Sequence, residues 1–326
     1  MRSLAASSGK QTRIEGGLAV AGKVVAMDKY NEVDTVEFPP LADMLKWFGP
    51  SAVPAQMSFG ALSHQGNVRS NNEDHYIVVQ RRRSRSVLLT NLPGQITDFA
   101  EDQVHILAVA DGMGGAAFGE LASHLALRTA FDLGHGATKW IFKVNEDEIE
   151  ELKGQIETIL RLVHNILIER GQKDANLTGM GTTLTGAYTI GMEALIAHVG
   201  DSRAYRFRAG VVERLTRDHT LAQEMLDTGG PPPNPSMHRV LTNCLGGTGQ
   251  ELKVDFHYHR FQDGDRLLLC TDGLSDMVVD ADISRTLAGN PDPQEACAAL
   301  VDLALEHGGR DNVTAVLADF ALAKDV

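Results

Sequence analysis

The sequence of 326 residues is poor in several features that define large classes of proteins. It has three cysteines, at positions 244, 270 and 297, and no CxxC pair, which excludes a disulfide framework and indicates reduced thiols. It has no apolar run of the roughly 18 residues that cross a bilayer, and only 6% of its residues are aromatic. Its net charge of −13 argues against nucleic acid or an anionic membrane as a partner. We therefore expect a cytoplasmic protein with an aliphatic core.

Two regions of the chain differ in composition. Residues 1–55 are rich in Gly, Ser and Ala and are interrupted by prolines, so we predict an N-terminal extension of unknown role. Its one apolar stretch, residues 41–48, is either a docking helix or a local patch folded back onto the domain. Apolar patterning becomes dense further on, and we predict a single folded domain over residues 56–322.

Hydrophobic periodicity in that domain predicts a few long helices and many strands. The clearest helix spans 146–170, where apolar residues recur at three- and four-residue steps, and two more are predicted at 116–133 and 293–307. The predicted strands are 77–79, 104–110, 183–190, 194–199, 204–208, 211–215, 253–261, 266–271 and 313–317. Because the strands do not alternate strictly with helices, antiparallel sheets covered by helices are favoured.

Two polar clusters have simple interpretations. The basic run at 81–85 is either a solvated loop face or a grip on a phosphopeptide. His257 and His259 share one face of a predicted strand, a spacing that can suit a metal, but we predict that they face solvent.

Acidic residues lie where apolar strands end. Asp111-Gly112 and Asp272-Gly273 each place a carboxylate at the end of an apolar strand, beside a glycine that permits a sharp turn. Glu73-Asp74 and Asp311 are similar acidic sites beside predicted strands. A single Asp-Gly pair is ordinarily only a turn. Four such acidic sites, without a competing histidine or cysteine cluster, predict an oxygen-lined site for hard divalent cations and hence an enzyme.

Two further residues extend this candidate site. Arg69 precedes Glu73-Asp74 by four and five positions, and a guanidinium beside metal-binding carboxylates suits a phosphate dianion. The alternative is a surface salt bridge between Arg69 and Glu73. Asp201 falls at a predicted hairpin turn, where it is available to a cation or is a plain turn residue.

Six segments, in this order, resemble the metal-dependent protein serine/threonine phosphatases of type 2C, and their Asn-Glu-Asp and Asp-Gly-Met-Gly-Gly forms resemble its bacterial branch. They are residues 69–74, 109–115, 179–183, 199–203, 271–273 and 309–314, and they span about residues 60–320. The resemblance implies an α+β fold of two packed antiparallel β-sheets flanked by helices, an α-β-β-α sandwich with the site at one end.

The resemblance also implies metal ligands. Asp111 would bridge two Mn²⁺ or Mg²⁺ ions, and the backbone carbonyl of Gly112 would bind one of them. Asp272 and Asp311 would complete the shell of the second ion. Asp201, together with Asp272, would suit a third ion.

The implied reaction is hydrolysis of phosphoserine and phosphothreonine by a metal-activated water, without a phosphoenzyme. Glu73 and Asp74 would hold metal-bound waters, and Arg69 would bind the phosphate. Met113 stands where many eukaryotic members have a histidine that protonates the leaving group. A thioether cannot donate a proton, so a metal-bound water or another residue has to serve.

The implied partners are phosphorylated serine/threonine proteins, including a serine/threonine protein kinase, and the reaction would reverse that of a bacterial kinase. We expect a monomer that binds neither nucleic acid nor membrane. Residues 219–247 match the family's flap, but its short, proline-rich interior does not predict a substrate. The alternative function is a catalytically inactive family member that binds phosphoproteins as a regulatory module. Such a member is expected to lack core acids that are present here.

Other phosphate enzymes fit less well. A cysteine phosphatase is excluded because none of the cysteines begins a Cys-x5-Arg loop, and a P-loop kinase because GxxxxGK[ST] does not occur. A metal-dependent phosphodiesterase remains conceivable, although the acidic net charge does not favour a nucleic acid substrate.

Overall fold

The computed structural model describes residues 18–20, 23–25, 55–85, 89, 99–114, 118–137, 146–231, 233–249 and 251–323. The chain divides into two compact units, residues 1–48 and 49–326. In the first unit the described residues form an antiparallel hairpin of β1 (Leu18–Val20) and β2 (Lys23–Val25). The apolar stretch at 41–48 and Gly115 lie outside the described residues, and the predicted domain boundary at residue 55 stays a prediction.

The second unit contains two antiparallel sheets. Its strands are β3 (Ala55–His64), β4 (Asp74–Arg85), β5 (Phe99–Met113), β6 (Gly181–Thr182), β7 (Leu184–Ile190), β8 (Glu193–Val199), β9 (Arg203–Arg208), β10 (Val211–Arg214), β11 (Leu245–Gly246), β12 (Asp255–Arg260), β13 (Arg266–Cys270) and β14 (Val313–Leu322). One sheet has the order β10-β9-β13-β14-β3, and the other has the order β11-β6-β5-β7-β8-β12 with β4 paired to β5.

Helices cover the outer faces of both sheets. They are α1 (Phe118–Ala137), α2 (Glu146–Lys173), α3 (Leu221–Asp227), α4 (Asp272–Ser275), α5 (Asp280–Gly289) and α6 (Pro293–Glu306). Helices α1 and α2 pack on the seven-stranded sheet, and α5 and α6 pack on the five-stranded one. No helix among these described residues is long and apolar enough to cross a membrane.

Alternate residues of the central strands enter different core layers. On β14, Val313, Ala315 and Leu317 face the helices, whereas Val316 and Ala318 pack between the two sheets. Both faces of such a strand are buried, which is why the strand sequences are continuously apolar. The layers confirm the predicted α-β-β-α sandwich.

The long predicted helices are present, with shifted ends, but several elements were not predicted. Helix α2 continues past Gly171 to Lys173. Strand β3 and helices α3, α4 and α5 gave no signal because they are short or rich in small residues. Strand β5 runs through Asp111 to Met113, since Gly112 and Met113 pair with β6. Asp111 therefore lies within a strand and not at its end.

Two predictions about polar clusters are wrong. The basic run at 81–85 lies in β4 and not in a loop. His257 and His259 do not face solvent: they lie directly opposite Ile196 and Ala194, which belong to the core between the sheets, and their Nε2 atoms are buried. Directly opposed residues share a face of the sheet, so both histidines point inward at the sandwich edge.

Close packing of α6 on β3 requires a glycine. A Cβ atom at Gly60 would overlap the carbonyl oxygen of Pro293, the first residue of α6. We expect Gly60→Ala to lower the free energy of unfolding by roughly 1–3 kcal/mol, measured by urea denaturation. Gly154→Ala on α2 is the matched control, because nothing lies within 4 Å of its Cβ position and alanine favours a helix. Equal losses in both variants would contradict the packing account.

Candidate metal centre

A cleft of about 770 Å³ lies at one end of the sandwich. Seven of the eight site residues predicted from the sequence line it: Arg69, Glu73, Asp111, Gly112, Asp201, Asp272 and Asp311. The eighth, Asp74, lies directly opposite Asp111 on the neighbouring strand and is 4% exposed. The fold thus brings all eight residues to one place.

The acids arrive from both sheets. Asp111 comes from β5 of the larger sheet. Asp272 follows β13 and Asp311 precedes β14, and these two strands are neighbours in the smaller sheet. Asp201 lies in the turn between β8 and β9, where Gly200 adopts a φ of +109°. A cleft between the sheet ends is therefore lined by carboxylate oxygens on both sides.

Asp74 joins the two sheets beneath the cleft. Its Oδ2 accepts hydrogen bonds of 2.7 Å from the hydroxyls of Thr271 and Thr314. Its Oδ1 has no hydrogen-bond partner among the described residues. Desolvation raises the pKa of Asp74 to about 7, although the two hydroxyls oppose the rise.

Mutual repulsion adds to desolvation at the other acids. Desolvation, followed by the charges of Asp74 and Asp272, raises the pKa of Asp111 well above its usual value. The pKa of Asp272 rises to about 6, first through desolvation and then through the charge of Asp276. Carboxylates withdrawn from water in this way are stabilised by a cation.

The chemistry of the site fits hard divalent cations. Its donors are oxygen atoms, and two buried carboxylate oxygens, Oδ1 of Asp74 and Oδ1 of Asp272, lack a partner in the described part of the chain. However, no three His, Cys, Asp or Glu side chains in that part are close enough together to form a ready-made metal site. The individual ligand roles therefore stay predictions.

Arg69 forms an ion pair with Asp311 and not with Glu73, the partner considered from the sequence. Its Nη2 lies 2.5 Å from Oδ2 of Asp311, and the Arg69 side chain is 54% exposed. The alternative pairing with Glu73 is not the contact formed, although the charge of Glu73 helps to raise the pKa of Arg69. Arg69 thus lies at the cleft with much of its guanidinium open to solvent.

The glycines after the two strand-borne acids are required by packing and not by turns. A Cβ at Gly112 would overlap the carbonyl oxygen of Gly119 on α1, and a Cβ at Gly273 would overlap the carbonyl oxygen of Asn312. Neither glycine has a positive φ. At Gly112 the expectation of a sharp turn is wrong, because β5 continues through it to Met113.

Asp276 is a further acid of the cleft that was not predicted from the sequence. It follows Asp272 by one helical turn, and its backbone N–H donates to the Asp272 carbonyl at 2.7 Å. Desolvation raises the pKa of Asp276, whereas the charge of Arg239 from the flap opposes the rise. The four-residue spacing was the available signal, but α4 is too short to show periodicity.

The chain belongs to the protein phosphatase 2C family, whose family model matches residues 96–320. It is 31% identical to the serine/threonine phosphatase stp of Listeria innocua over 259 residues, 78% of this chain and 92% of that protein. It is 33% identical to the serine/threonine protein phosphatase PstP of Mycobacterium tuberculosis over 268 residues, 81% of this chain and 45% of that protein.

Solved structures of serine/threonine phosphatases are similar to this chain as well. The catalytic domain of PstP in complex with two manganese ions has a TM-score of 0.63 and 32% identity, covering 81% of this chain and 98% of that one. Stp1 from Staphylococcus aureus has a TM-score of 0.67 and 26% identity, covering 83% and 97%. The resemblance found in the six segments is confirmed, and so is the predicted enzyme class, a protein serine/threonine phosphatase.

The raised pKa values predict how the stability of the metal-free protein depends on pH. An acid whose pKa rises on folding stabilises the protein fully below its unfolded value, about 3.9 for Asp, and this contribution is lost as the pH rises through the folded value. The folded values are about 6 for Asp272 and about 7 for Asp74. Wild type in EDTA should therefore lose stability relative to Asp74→Asn between pH 5 and pH 8, measured by urea unfolding. A constant difference between the two proteins would contradict the shift at Asp74.

Proposed function

We propose that this protein is a metal-dependent phosphatase that hydrolyses phosphoserine and phosphothreonine in proteins, using two Mn²⁺ or Mg²⁺ ions and a third beside Asp201. The observation that carries the proposal is the convergence of Asp111, Asp272 and Asp311 on one cleft that also contains Arg69. The two manganese ions in the PstP complex support the choice of cofactor.

The ligands follow from the cleft. Asp111, the carbonyl of Gly112, Asp272 and Asp311 would hold two ions, and Asp201 with Asp272 would hold the third. When bound, the ions supply positive charge to the phosphate and lower the pKa of the attacking water.

Arg69 binds the phosphate in this proposal. In the structure Nη2 of its guanidinium is paired with Asp311, so this nitrogen has to change partners before the whole planar fork can bind a phosphate. Asp311 is itself a proposed ligand, and a cation held there would leave the planar fork of Arg69 available to two phosphate oxygens.

Other residues of the chain order the water of the site. Glu73, from the cleft wall, and Asp74, through its unpartnered Oδ1 beneath the cleft, would accept hydrogen bonds from metal-bound waters. Met113 lines the cleft but cannot donate a proton, and no histidine lines it among the described residues. Water therefore protonates the departing seryl or threonyl oxygen in this proposal.

The biological setting is proposed from the composition of the chain and from its buried cysteines. The substrates would be phosphoproteins in signalling by a bacterial serine/threonine kinase, and the protein would act as a cytoplasmic monomer without nucleic acid or membrane partners. Cys244, Cys270 and Cys297 are buried thiols, which suits a reducing compartment, and a net charge of −13 disfavours nucleic acid. Retention of Asp111, Asp272 and Asp311 disfavours an inactive binding module.

Asp272→Asn tests the metal chemistry, because it keeps the shape of the side chain and removes its charge. Metal-ion catalysis contributes several kcal/mol, so we expect Mn²⁺-dependent hydrolysis of p-nitrophenyl phosphate and phosphothreonine peptides to fall at least about 100-fold in kcat. Asp302→Asn, at an exposed position of α6, is the control and should behave as wild type. Activity that survives Asp272→Asn, or chelation with EDTA, would overturn the proposal.

Arg69→Ala tests phosphate binding. Hydrogen bonds to charged groups contribute about 1.5–3 kcal/mol, so kcat/KM for p-nitrophenyl phosphate should fall roughly 10- to 100-fold, mainly through KM. Arg69→Lys should recover only part of this loss because an ammonium cannot bind two oxygens as a planar fork. The control is Arg161→Ala on α2, where the arginine pairs with Glu157. An unchanged KM in Arg69→Ala would show that the phosphate binds elsewhere.

A further inference from the structure

His219 lies where the flap, residues 219–247, meets the turn that carries Asp201. Its backbone N–H donates to the Gly200 carbonyl at 2.7 Å, and its own carbonyl accepts from the N–H of Thr242 at 2.9 Å. Gly200 immediately precedes Asp201, which lines the cleft. His219 thus contacts both Thr242, in the returning segment of the flap, and Gly200, the residue next to Asp201.

The surrounding hydrogen bonds define the proton position on the His219 ring. Its Nδ1 lies 3.1 Å from the backbone nitrogen of Gly200, which can only donate, and 2.9 Å from Nδ2 of Asn243. The Asn243 amide has a fixed orientation because Nδ2 donates to the Lys253 carbonyl while Oδ1 accepts from the Lys253 N–H. Nδ1 is therefore an acceptor, and the proton is on Nε2, which donates to Asp255 at 3.0 Å.

The backbone N–H of Gly200 depends on this ring. Gly200 is buried and has a φ of +109°, and a Cβ there would overlap the side chain of Thr183. Nδ1 of His219 is the acceptor that the structure provides for its N–H. A buried N–H that loses its acceptor is strongly disfavoured, so removal of Nδ1 forces the turn to rearrange.

The residue before His219 holds the other end of the same turn. Asp218 accepts from Nε of Arg203 at 3.0 Å and from its Nη2 at 2.7 Å. Asp218 is 8% exposed, so this ion pair is largely shielded from water. Asp218 and His219 therefore contact the turn on both sides of Asp201, at Arg203 and at Gly200.

We propose that His219 is a positioning residue: its Nδ1 orients the Gly200–Asp201 turn, and its backbone couples the base of the flap to the Asp201 carboxylate. The inference rests on the proposed function for the role of Asp201 as a cation ligand. His219 does not line the cleft. It acts through the backbone N–H of Gly200, and the affinity of the site for one cation depends on it.

Matched variants distinguish the role of Nδ1 of His219 from the role of Nε2. His219→Phe keeps a ring beside His198, whose centroid is 4.8 Å away, but removes the Nδ1 acceptor. His219→Asn places an amide oxygen near the position of Nδ1. Asp255→Asn changes only the partner of Nε2. His219→Gln places its amide near Nε2 and leaves Gly200 without an acceptor, so it decides the question if the phenylalanine variant does not fold.

Three measurements on the full chain give the outcome: hydrogen exchange of the Gly200 amide by NMR, Mn²⁺ binding followed by EPR of free Mn²⁺, and kcat with p-nitrophenyl phosphate at saturating Mn²⁺. In His219→Phe and His219→Gln we expect at least about tenfold faster exchange. The weakest Mn²⁺ site should lose roughly three- to tenfold in affinity, the range of one hydrogen bond. His219→Asn and Asp255→Asn should stay within about twofold of wild type in all three measurements.

Unchanged exchange at Gly200 in the phenylalanine and glutamine variants would overturn the inference, and so would an asparagine variant no better than these two. Asp201→Asn distinguishes this failure from failure of the proposed function. If Asp201→Asn binds Mn²⁺ as wild type does, the ligand role of Asp201 is wrong and the coupling to a cation falls with it. If it weakens binding while the His219 variants do not, the inference alone is wrong.

Discussion

The repulsion between carboxylates that are withdrawn from water is the constraint on which this end of the molecule depends. Desolvation is the largest cause of the raised pKa values of Asp74, Asp111 and Asp201, and the charge of Asp272 adds to the rise at all three. Such a cluster is unfavourable without a cation, and it persists because the backbone of two sheets fixes each acid. Asp74 and Asp111 are paired in register on adjacent strands, and hydroxyls from the second sheet bind Asp74. The packing of the two sheets thus offsets the repulsion between these carboxylates.

Backbone packing supplies much of that rigidity. The wall of the cleft beside Asp111 is formed where Gly112 meets Gly119 of α1 without intervening side chains. The carbonyl of Glu73 accepts both the N–H of Gly112, at 3.2 Å, and the hydroxyl of Ser123, at 2.5 Å. Helix α1, strand β5 and the segment before β4 are therefore fixed to one another by main-chain contacts and by the Ser123 hydroxyl, which leave little room for adjustment.

The sequence revealed the parts of the site that are encoded locally. An acid beside an apolar strand can be recognised from its neighbours, and the order of the six segments identified the family and the sandwich. What it could not reveal depends on partners that are remote in the chain. The need for glycine at position 273 comes from the carbonyl of Asn312, and the inward orientation of His257 follows from its pairing with Ile196. Asp276 belongs to a helix too short for any periodicity.

Strand β14 has a consequence for how the protein is made. It is the last strand of the domain in sequence, yet it lies inside the five-stranded sheet, between β13 and the first strand of the domain, β3. Asp311, which lines the cleft, and Thr314, whose hydroxyl binds Asp74 beneath it, are synthesised with it. On the ribosome the sandwich stays open, with two strand edges unpaired, until this segment has left the exit tunnel. Catalytic competence is therefore acquired in a single late step, and truncated translation products carry exposed sheet edges, which favour aggregation.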